Sequence, residues 1–223
     1  DYEVKGSYSF TVVATDAAGN ASEQVVTLGI NNLDEVAPTI TSGTTASAID
    51  ENSGAGQVVY TVTSTDSGDI ATGSTSYSLK AGADAALFSI NAATGAVTLI
   101  GNPDYEVKGS YSFTVVATDA AGNASEQVVT LGVNNLDEVA PTITSGATAS
   151  AIDENSGTGQ VVYTVTSTDS GDIATGSTSY SLKAGADAAL FSINAATGAV
   201  TLTGNPDYET KASYSFTVVA TDA

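Results

Sequence analysis

Short runs of alternating hydrophobic and polar residues recur along the chain. Between residues 110 and 117 the alternation places Tyr111, Phe113, Val115 and Ala117 on one face, which is typical of a strand with one buried side. No segment has a convincing apolar period of about 3.6 residues, so we expect very little helix. The predicted strands are residues 38–41, 57–63, 76–79, 87–90, 96–99, 110–117 and 127–133.

The predicted strands have a consistent inward face and are separated by turn signals. In the strand at 57–63 we expect Val58, Tyr60 and Val62 to face inward. Residues 91–95 predict a hairpin turn that ends in a glycine, because glycine adopts positive φ easily. Seven short strands within about 100 residues predict an all-β, antiparallel Greek-key sandwich. The last strand is expected to turn inward Val129, Leu131 and Val133.

The chain repeats itself with a period of 103 residues. The segment that begins at Asp1 begins again at Asp104 and at Asp207. A period of about 100 residues indicates tandem domains rather than short solenoid units, and near-identity between neighbours indicates recent duplication in a long array. The first two copies differ only at the pairs Ile30/Val133, Thr44/Ala147, Ala55/Thr158 and Ile100/Thr203.

Two prolines mark the predicted boundaries between repeats. Pro38 and Pro141 each follow an acidic stretch, and proline restricts the chain to extended or turn conformations that suit a short linker. We therefore predict three segments. Residues 1–37 are the C-terminal strands and linker of a preceding repeat, residues 38–140 are a complete repeat, and residues 141–223 are a repeat that lacks its last strand.

The composition excludes several kinds of chemistry. The chain has neither histidine nor cysteine, so histidine acid–base catalysis, a thiol nucleophile and a zinc site are excluded. Mechanisms that use carboxylates alone, such as a glycosidase pair, stay open. We nevertheless predict that the protein is not an enzyme, because the copies are almost identical and the acids gather at the repeat junctions.

The net charge is −20, from 25 acidic residues and five lysines. Such a surface repels nucleic acid and anionic membranes, and no apolar run is long enough to span a membrane. We therefore expect neither a nucleic-acid partner nor membrane insertion. A solubilising surface is the alternative explanation of the acidity, but the acids are clustered rather than scattered.

The acidic residues gather in the predicted loops. Because the turns of a sandwich lie at its two ends, we expect clusters from successive repeats to meet at the linker. Close carboxylates repel by about 1 kcal/mol or more per pair, and Ca²⁺ relieves the repulsion because it takes about 6–8 oxygen ligands. The clusters are residues 1–3, 50–52, 66–69, 104–106, 153–155, 169–172 and 207–209, the acids Asp16, Asp119 and Asp222, and the linker segments 32–35 and 135–138.

Five of these loop motifs occur in the same order in each repeat. Glu51-Asn52 follows the first strand, Asp104-Tyr105-Glu106 precedes the sixth strand, and Asp119 ends that strand in Ala-Thr-Asp-Ala-Ala-Gly. The linker reads Asn-Leu-Asp-Glu-Val-Ala-Pro at 135–141, and Asp169 is followed by Asp172. Together they resemble the acid–Asn, Leu-Asp-Arg-Glu, Ala-x-Asp-x-Gly, Asp-x-Asn-Asp-Asn-x-Pro and Asp-x-Asp motifs of cadherin repeats, specifically the cadherin-like repeats of large bacterial adhesins. In the linker, Val139 replaces a polar residue.

The resemblance implies that Ca²⁺ binds between neighbouring repeats, at the linkers. For the linker at 134–141 it implies the ligands Glu51, Asp104, Glu106, Asn135, Asp137 and Glu138 from one repeat and Asp169, Asp172 and Asp222 from the next. For the linker at 31–38 it implies Asp1, Glu3, Asn32, Asp34 and Glu35 with Asp66, Asp69 and Asp119. The same motifs in the last repeat imply Glu154, Asp207 and Glu209.

The expected function is that of a calcium-stiffened extender or spacer in an extracellular adhesin, at the cell surface or secreted. Its partners would be neighbouring repeats of the same chain, and the rod would project a distal binding domain or support cell–cell and cell–surface adhesion, as in a biofilm. The alternative is a carbohydrate-binding or homophilic adhesion module. In that case Tyr60, Tyr77 and Tyr111 could stack on a polysaccharide, although core or cross-strand positions suit these residues better.

Overall fold

The computed structural model describes residues 1–68, 70, 73–173 and 177–222. The chain divides into two compact units, Asp1–Asn134 (unit 1) and Asn135–Ala223 (unit 2). Within the described residues the helical segments are the 3₁₀ turns Ala85–Leu87 and Ala188–Leu190, which confirms the all-β prediction. No helix in these residues has the length and apolar character needed to cross a membrane. The repeat boundaries at 37/38 and 140/141 stay predictions.

Unit 1 contains two sheets that face each other. One is four-stranded, in the order β4-β11-β10-β7, and the other is three-stranded, in the order β5-β9-β8. Two further pairs, β3–β6 and the hairpin β1–β2, complete the unit. The strands are β1 (Ser7–Thr15), β2 (Ala21–Gly29), β3 (Thr39–Ile40), β4 (Ile49–Asp50), β5 (Gln57–Thr61), β6 (Ser64–Thr65), β7 (Ser76–Lys80), β8 (Phe88–Ile90), β9 (Ala96–Leu99), β10 (Ser110–Thr118) and β11 (Ala124–Asn134).

The core of unit 1 lies between the two sheets. The inward face predicted for β10 is confirmed, because Tyr111, Phe113, Val115 and Ala117 are all buried. Phe113 contacts Phe88 of the opposite sheet, with ring centroids 4.5 Å apart. The inward residues predicted for β11 are also buried, and they pack in the same cluster: Val129, Leu131 and Val133.

The inward face predicted for β5 is wrong in part. Val58 is 61 % exposed, whereas its neighbour Val59 is buried together with Val62. The pairing of β5 with β9 shifts register between Val58 and Tyr60, as at a β-bulge, where the extra residue reverses the direction of the side chains that follow. Strict alternation therefore fails at this point, although Tyr60 still packs against the core.

The hairpin turn predicted at 91–95 is confirmed between β8 and β9, which pair antiparallel. Asn91 Oδ1 accepts hydrogen bonds from the amides of Ala93 and Thr94, both at 3.0 Å. Gly95 has φ 70°, and a side chain there would collide with the carbonyl oxygen of Val62. Glycine is required here both by the backbone conformation and by space.

Unit 2 repeats this arrangement with a less enclosed core. Its sheets are β13-β17-β16 and β15–β18, with the pair β12–β14. No strand among its described residues corresponds to β11, so Phe216 is only partly buried, whereas the equivalent Phe113 is fully buried. The strands are β12 (Thr142–Ile143), β13 (Gln160–Thr164), β14 (Ser167–Thr168), β15 (Ser179–Lys183), β16 (Phe191–Ile193), β17 (Ala199–Leu202) and β18 (Thr217–Thr221).

The hairpin β1–β2 shows what the local sequence achieves without a facing sheet. It has the sequence of β10–β11 and the same register, with Phe10 opposite Val26 as Phe113 is opposite Val129. Phe10, however, is 56 % exposed. The alternating sequence thus forms the hairpin, while burial of its apolar face depends on the rest of the sandwich.

Candidate metal-binding sites

Three carboxylates of unit 1 converge where two strands end next to the linker. Asp66 directly follows β6, Asp119 directly follows β10, and Asp34 lies in the segment before β3. One carboxylate oxygen from each lies within 4.8 Å of the other two. We call this group the Asp34 cluster. It brings together three of the residues predicted for the linker at 31–38.

The loop after β10 holds Asp119 in place. Asp119 is buried, and its Oδ1 accepts hydrogen bonds from the amides of Gly122 and Asn123 at 2.7 and 2.8 Å. Burial raises the pKa of Asp119, but the hydrogen bonds from Asn123 and from the loop amides outweigh it, so the pKa lies below 3.8. Asp119 is therefore a fixed, ionised carboxylate.

Asn123 is a residue of this site that the sequence motifs did not single out. Its Nδ2 donates to Asp119 Oδ2 at 3.0 Å and to the backbone carbonyl of Asp34 at 2.9 Å. It therefore ties the linker to the loop after β10. The signal in the sequence is its spacing, since an asparagine four residues after an aspartate in Asp-Ala-Ala-Gly-Asn suits a closed side-chain-capped turn.

Unit 2 contains the equivalent group 103 residues later, formed by Asp137, Asp169 and Asp222. Their carboxylate oxygens also lie within 4.8 Å of one another, and we call the group the Asp137 cluster. Asn135 lies beside it and donates from Nδ2 to Asp172 Oδ1 at 3.2 Å. The Oδ1 atom of Asn135 is buried, and no group in the described residues hydrogen-bonds to it.

Burial and crowding together raise the pKa of one carboxylate in each cluster. Burial raises the pKa of Asp66 above 3.8, and the negative charges of Asp34 and Asp119 raise it further. Asp169 has a raised pKa for the same reasons, burial first and then the two other carboxylates of its cluster. At neutral pH the ionised clusters repel internally, and a bound cation or a proton relieves that repulsion.

This crowding predicts an unusual pH dependence in metal-free buffer. Because the pKa values of Asp66 and Asp169 are raised on folding, the folded state binds protons more readily than the unfolded state above 3.8. Stability should therefore rise as the pH falls from neutral toward 3.8, and it should fall below 3.8 as carboxylates with lowered pKa, such as Asp119, become protonated. Thermal unfolding at each pH measures this.

The matched control for the pH experiment is Asp66→Asn with Asp169→Asn. This variant lacks both carboxylates of raised pKa, so its unfolding midpoint should rise less on acidification from neutral pH toward 3.8 than that of the unmodified chain. Identical pH profiles for the two proteins would show that the clusters are not electrostatically crowded.

A second group of carboxylates lies where the loop before β10, or before β18 in unit 2, meets the acid–Asn motif near the start of the repeat. In unit 2, Glu154, Asp207 and Glu209 place carboxylate oxygens within 4.8 Å of one another, and all three are exposed. In unit 1, Glu51 and Glu106 approach in the same way. The structure thus brings these predicted residues together, and their role as metal ligands stays a prediction.

The two copies of this site differ in burial because β4 needs a partner strand. In unit 1, β4 pairs with the end of β11, Glu51 is only 1 % exposed, and its Oε2 accepts a hydrogen bond from the Tyr105 amide at 2.8 Å. In unit 2 the equivalent Glu154 is exposed, and its contact with the Tyr208 amide lengthens to 3.3 Å. Where β4 pairs with the last strand of the repeat, Glu51 is thus buried and held by a shorter hydrogen bond.

The remaining predicted ligands are less constrained. Asp104 Oδ1 accepts a hydrogen bond from the Val107 amide at 2.9 Å, so Asp104 helps to form the turn. Asp1 and Glu3 are exposed and join no group of three acids within the described residues. Asp69 lies outside the described residues. Three further predicted ligands lie in the linker segments: Asn32 is partly buried, and Glu35 and Glu138 are exposed.

The donor chemistry of both clusters fits a hard divalent cation. All side-chain donors are carboxylate or amide oxygens, which Ca²⁺ prefers at about 2.3–2.6 Å. Two oxygens bound to one such ion are at most about 5 Å apart, in agreement with the spacing of 4.8 Å or less. The buried Oδ1 of Asn135 adds an oxygen beside the Asp137 cluster that has no other described partner.

The tyrosines considered for sugar stacking belong to the core of unit 1. Tyr111 is buried, and Tyr60 and Tyr77 pack against the same cluster. The Tyr60 hydroxyl donates to Ser42 Oγ at 2.7 Å, and the Tyr77 hydroxyl lies 2.9 Å from Ser64 Oγ. Their rings stabilise the sandwich and do not form an open stacking platform.

Comparison with known proteins agrees with the fold and with the cadherin resemblance. The family model of the cadherin domain matches residues 45–134 and 148–223. Mouse protocadherin Fat 4 is 30 % identical over 202 residues, which are 90 % of this chain and 4 % of that protein. Human cadherin-23 is 32 % identical over the whole chain, which spans 7 % of its length. The chain therefore corresponds to a small part of each relative.

Solved structures give the same picture. The crystal structure of mouse cadherin-23 EC22-24 matches the whole chain with a TM-score of 0.62 at 28 % identity, and 71 % of that structure is covered. A protocadherin gammaB7 EC3-6 structure also has a TM-score of 0.62, at 23 % identity, and it supports the fold alone.

Proposed function

The chain belongs to the cadherin domain family, and from that premise we propose that it is a calcium-stiffened repeat region of an extracellular adhesion protein. The observation that carries the proposal is the pair of clusters around Asp34 and Asp137. In each, a linker carboxylate lies with two loop carboxylates of the repeat that follows. Calcium bound there would fix the linker to that repeat and neutralise a crowded group of negative charges.

We also propose that neighbouring repeats share cations. In unit 1 the loop with Glu51 lies beside the end of β11, because Asp50 pairs with Asn134, and the linker follows directly after that strand. We propose that the acids of the Glu51 and Asp104 motifs complete the coordination at the linkers, as the motif order of the family implies. Glu51 suits such a role because it is buried and held by the Tyr105 amide.

The mechanical consequence is a stiff array. A flexible linker that is tied to its neighbours by ions loses conformational freedom, so the array would extend as a rod and project a distal binding domain. Near-identity of the copies favours a role that depends on length, because every copy then does the same job. We propose on the same sequence pattern that the array belongs to a large bacterial surface or secreted adhesin that acts in biofilms.

Other functions have less support. Cadherin domains are structural and adhesive modules, and we propose no catalytic role. A carbohydrate ligand is not proposed either, because Tyr60, Tyr77 and Tyr111 pack in or against the core. Homophilic adhesion is the alternative that adhesion relatives suggest, and it is compatible with the same calcium sites.

Small-angle X-ray scattering of this chain tests the mechanical role. We expect the scattering profile with calcium to give a narrower pair-distance distribution than the profile with chelator, because the linker samples fewer conformations when ions hold it. The control is Asp66→Asn with Asp169→Asn, for which the two profiles should differ much less. Identical profiles for the unmodified chain with and without calcium would contradict the proposal. If beads coated with this chain aggregate only in the presence of calcium, the chain also acts in homophilic adhesion.

A further inference from the structure

A linker valine packs directly on a glycine of the acidic loop in each unit. In unit 2, a methyl group placed on Gly171 would lie 2.5 Å from Val139 Cγ1 and 3.2 Å from its Cβ. In unit 1, a methyl group on Gly68 would lie 2.5 Å from Val36 Cγ1 and 3.3 Å from its Cβ. Real Cβ contacts are not this short, so the valine fills the space that a side chain at the glycine would need.

Space, and not backbone conformation, makes glycine necessary at these two positions. Gly68 and Gly171 do not have positive φ, unlike Gly54 and Gly157, where φ is 99° and 96°. An alanine could therefore adopt the backbone conformation at Gly171, but its methyl group would displace Val139. Glycine in a strand or loop often marks such a close approach.

The contact lies in the middle of the candidate ligands. Val139 is two residues after Asp137, and Gly171 stands between Asp169 and Asp172. Displacement of the valine would therefore move the carboxylate of Asp137 relative to Asp169. The equivalent contact in unit 1 has Asp34 two residues before Val36 and Asp66 two residues before Gly68.

We propose that the contact of Val36 with Gly68, and of Val139 with Gly171, is an apolar latch that positions the linker for cation binding. The latch forms without a cation, because it consists of a methyl group on a glycine Cα. It holds the linker aspartate near the two loop aspartates before an ion arrives, so less ordering remains for binding to achieve. Its effect on affinity rests on the proposed calcium function, whereas the contact itself does not.

Three variants separate steric positioning from general damage. Gly68→Ala with Gly171→Ala inserts a methyl group into each contact. Val36→Ala with Val139→Ala removes the γ methyl groups that face the glycines. The combination of all four substitutions restores room at the contact, as a double-mutant cycle requires. The matched control is Gly43→Ala with Gly146→Ala, because a methyl group at these glycines meets no atom within 4 Å.

Calcium titration by calorimetry measures the effect on affinity. We expect the glycine variant to bind calcium about 10-fold more weakly and the valine variant about threefold more weakly than the unmodified chain. The combined variant should resemble the valine variant, which is a rescue that mere destabilisation would not produce. The control should bind as the unmodified chain does. Thermal unfolding with chelator confirms that each variant is folded. If the glycine variant does not fold, the calcium affinity of the valine variant still decides the test.

A readout without calcium tests the latch itself. In chelator, nuclear Overhauser effects should join the methyl protons of Val36 and Val139 to the α protons of Gly68 and Gly171. The absence of these Overhauser effects would overturn the latch. Unchanged calcium affinity in the glycine variant would also overturn it, as would a combined variant whose loss of affinity equals the sum of the two separate losses. If the unmodified chain binds no calcium, the proposed function fails instead, and the Overhauser effects alone decide whether the contact exists.

Discussion

Removal of calcium is expected to lower the thermal unfolding midpoint of each unit by about 10–20 °C. A ligand at about 100 times its dissociation constant stabilises the folded state by about 2.7 kcal/mol per site, and a domain of about 100 residues shifts by about 4–8 °C per kcal/mol. Calcium should stabilise the folded state because, in the Asp34 and Asp137 clusters, three carboxylate oxygens lie within 4.8 Å of one another and their charges repel without a cation. Differential scanning calorimetry with calcium and with chelator measures the shift.

The control for this experiment is Asp66→Asn with Asp169→Asn. In chelator this variant should unfold at or above the midpoint of the unmodified chain, because it lacks the two carboxylates whose pKa values are raised by burial and by the neighbouring negative charges. With calcium its gain should be much smaller, because one ligand per cluster has lost its charge. Equal midpoints of the unmodified chain in the two buffers would contradict a role for calcium in stability.

Phe113→Ala is expected to destabilise unit 1 by about 3–5 kcal/mol, which is the usual cost of such a cavity in a core. Phe113 is fully buried, and its ring centroid lies 4.5 Å from that of Phe88 and 6.1 Å from that of Tyr60. Chemical denaturation of the variant, followed by circular dichroism, measures the loss.

The chain supplies its own control in an almost identical sequence. Phe10→Ala changes the same residue of the same hairpin sequence, but Phe10 is 56 % exposed, so we expect a change of no more than about 0.5 kcal/mol. Phe216→Ala should lie between the two, because Phe216 is partly buried. A similar loss for Phe10→Ala and Phe113→Ala would mean that the assigned core is wrong.

Local patterns in the sequence predicted most of the sandwich. The alternation on β10 places Tyr111, Phe113 and Val115 inward as expected, because a strand with one buried face must alternate. The hairpin at 91–95 also forms as expected, since Asn91 and Gly95 have the local chemistry of a turn. Such features depend on neighbours in the chain, which the sequence displays directly.

Features that depend on distant residues could not be predicted in the same way. The register shift in β5 exposes Val58 and buries Val59, and it arises from pairing with β9. The contact of Val139 with Gly171 depends on how closely the linker approaches a loop. In the sequence, Val139 is recognisable only as an apolar residue where the family motif has a polar one.

In the candidate sites, too, the local motifs could be predicted from the sequence, whereas contacts between distant residues could not. The acidic motifs led us to expect shared ligands at the linkers, and the carboxylates of Asp34, Asp66 and Asp119 do lie within 4.8 Å of one another, while their role as metal ligands stays a prediction. The motifs could not show that Asn123 holds Asp119 and the linker through one side chain. They also could not show that Glu51 is buried while Glu154 is exposed, since this difference follows from the pairing of β4 with β11.

An anomalous difference map would show whether the oxygen atoms of the loops and linkers bind calcium. Crystals of this chain grown with calcium should show a peak within about 2.3–2.6 Å of carboxylate oxygens in each cluster. The expected contacts are Asp34, Asp66 and Asp119 in unit 1 and Asp137, Asp169 and Asp222 in unit 2. A map in which these carboxylates contact only water, with no peak between them, would mean that the clusters do not bind calcium.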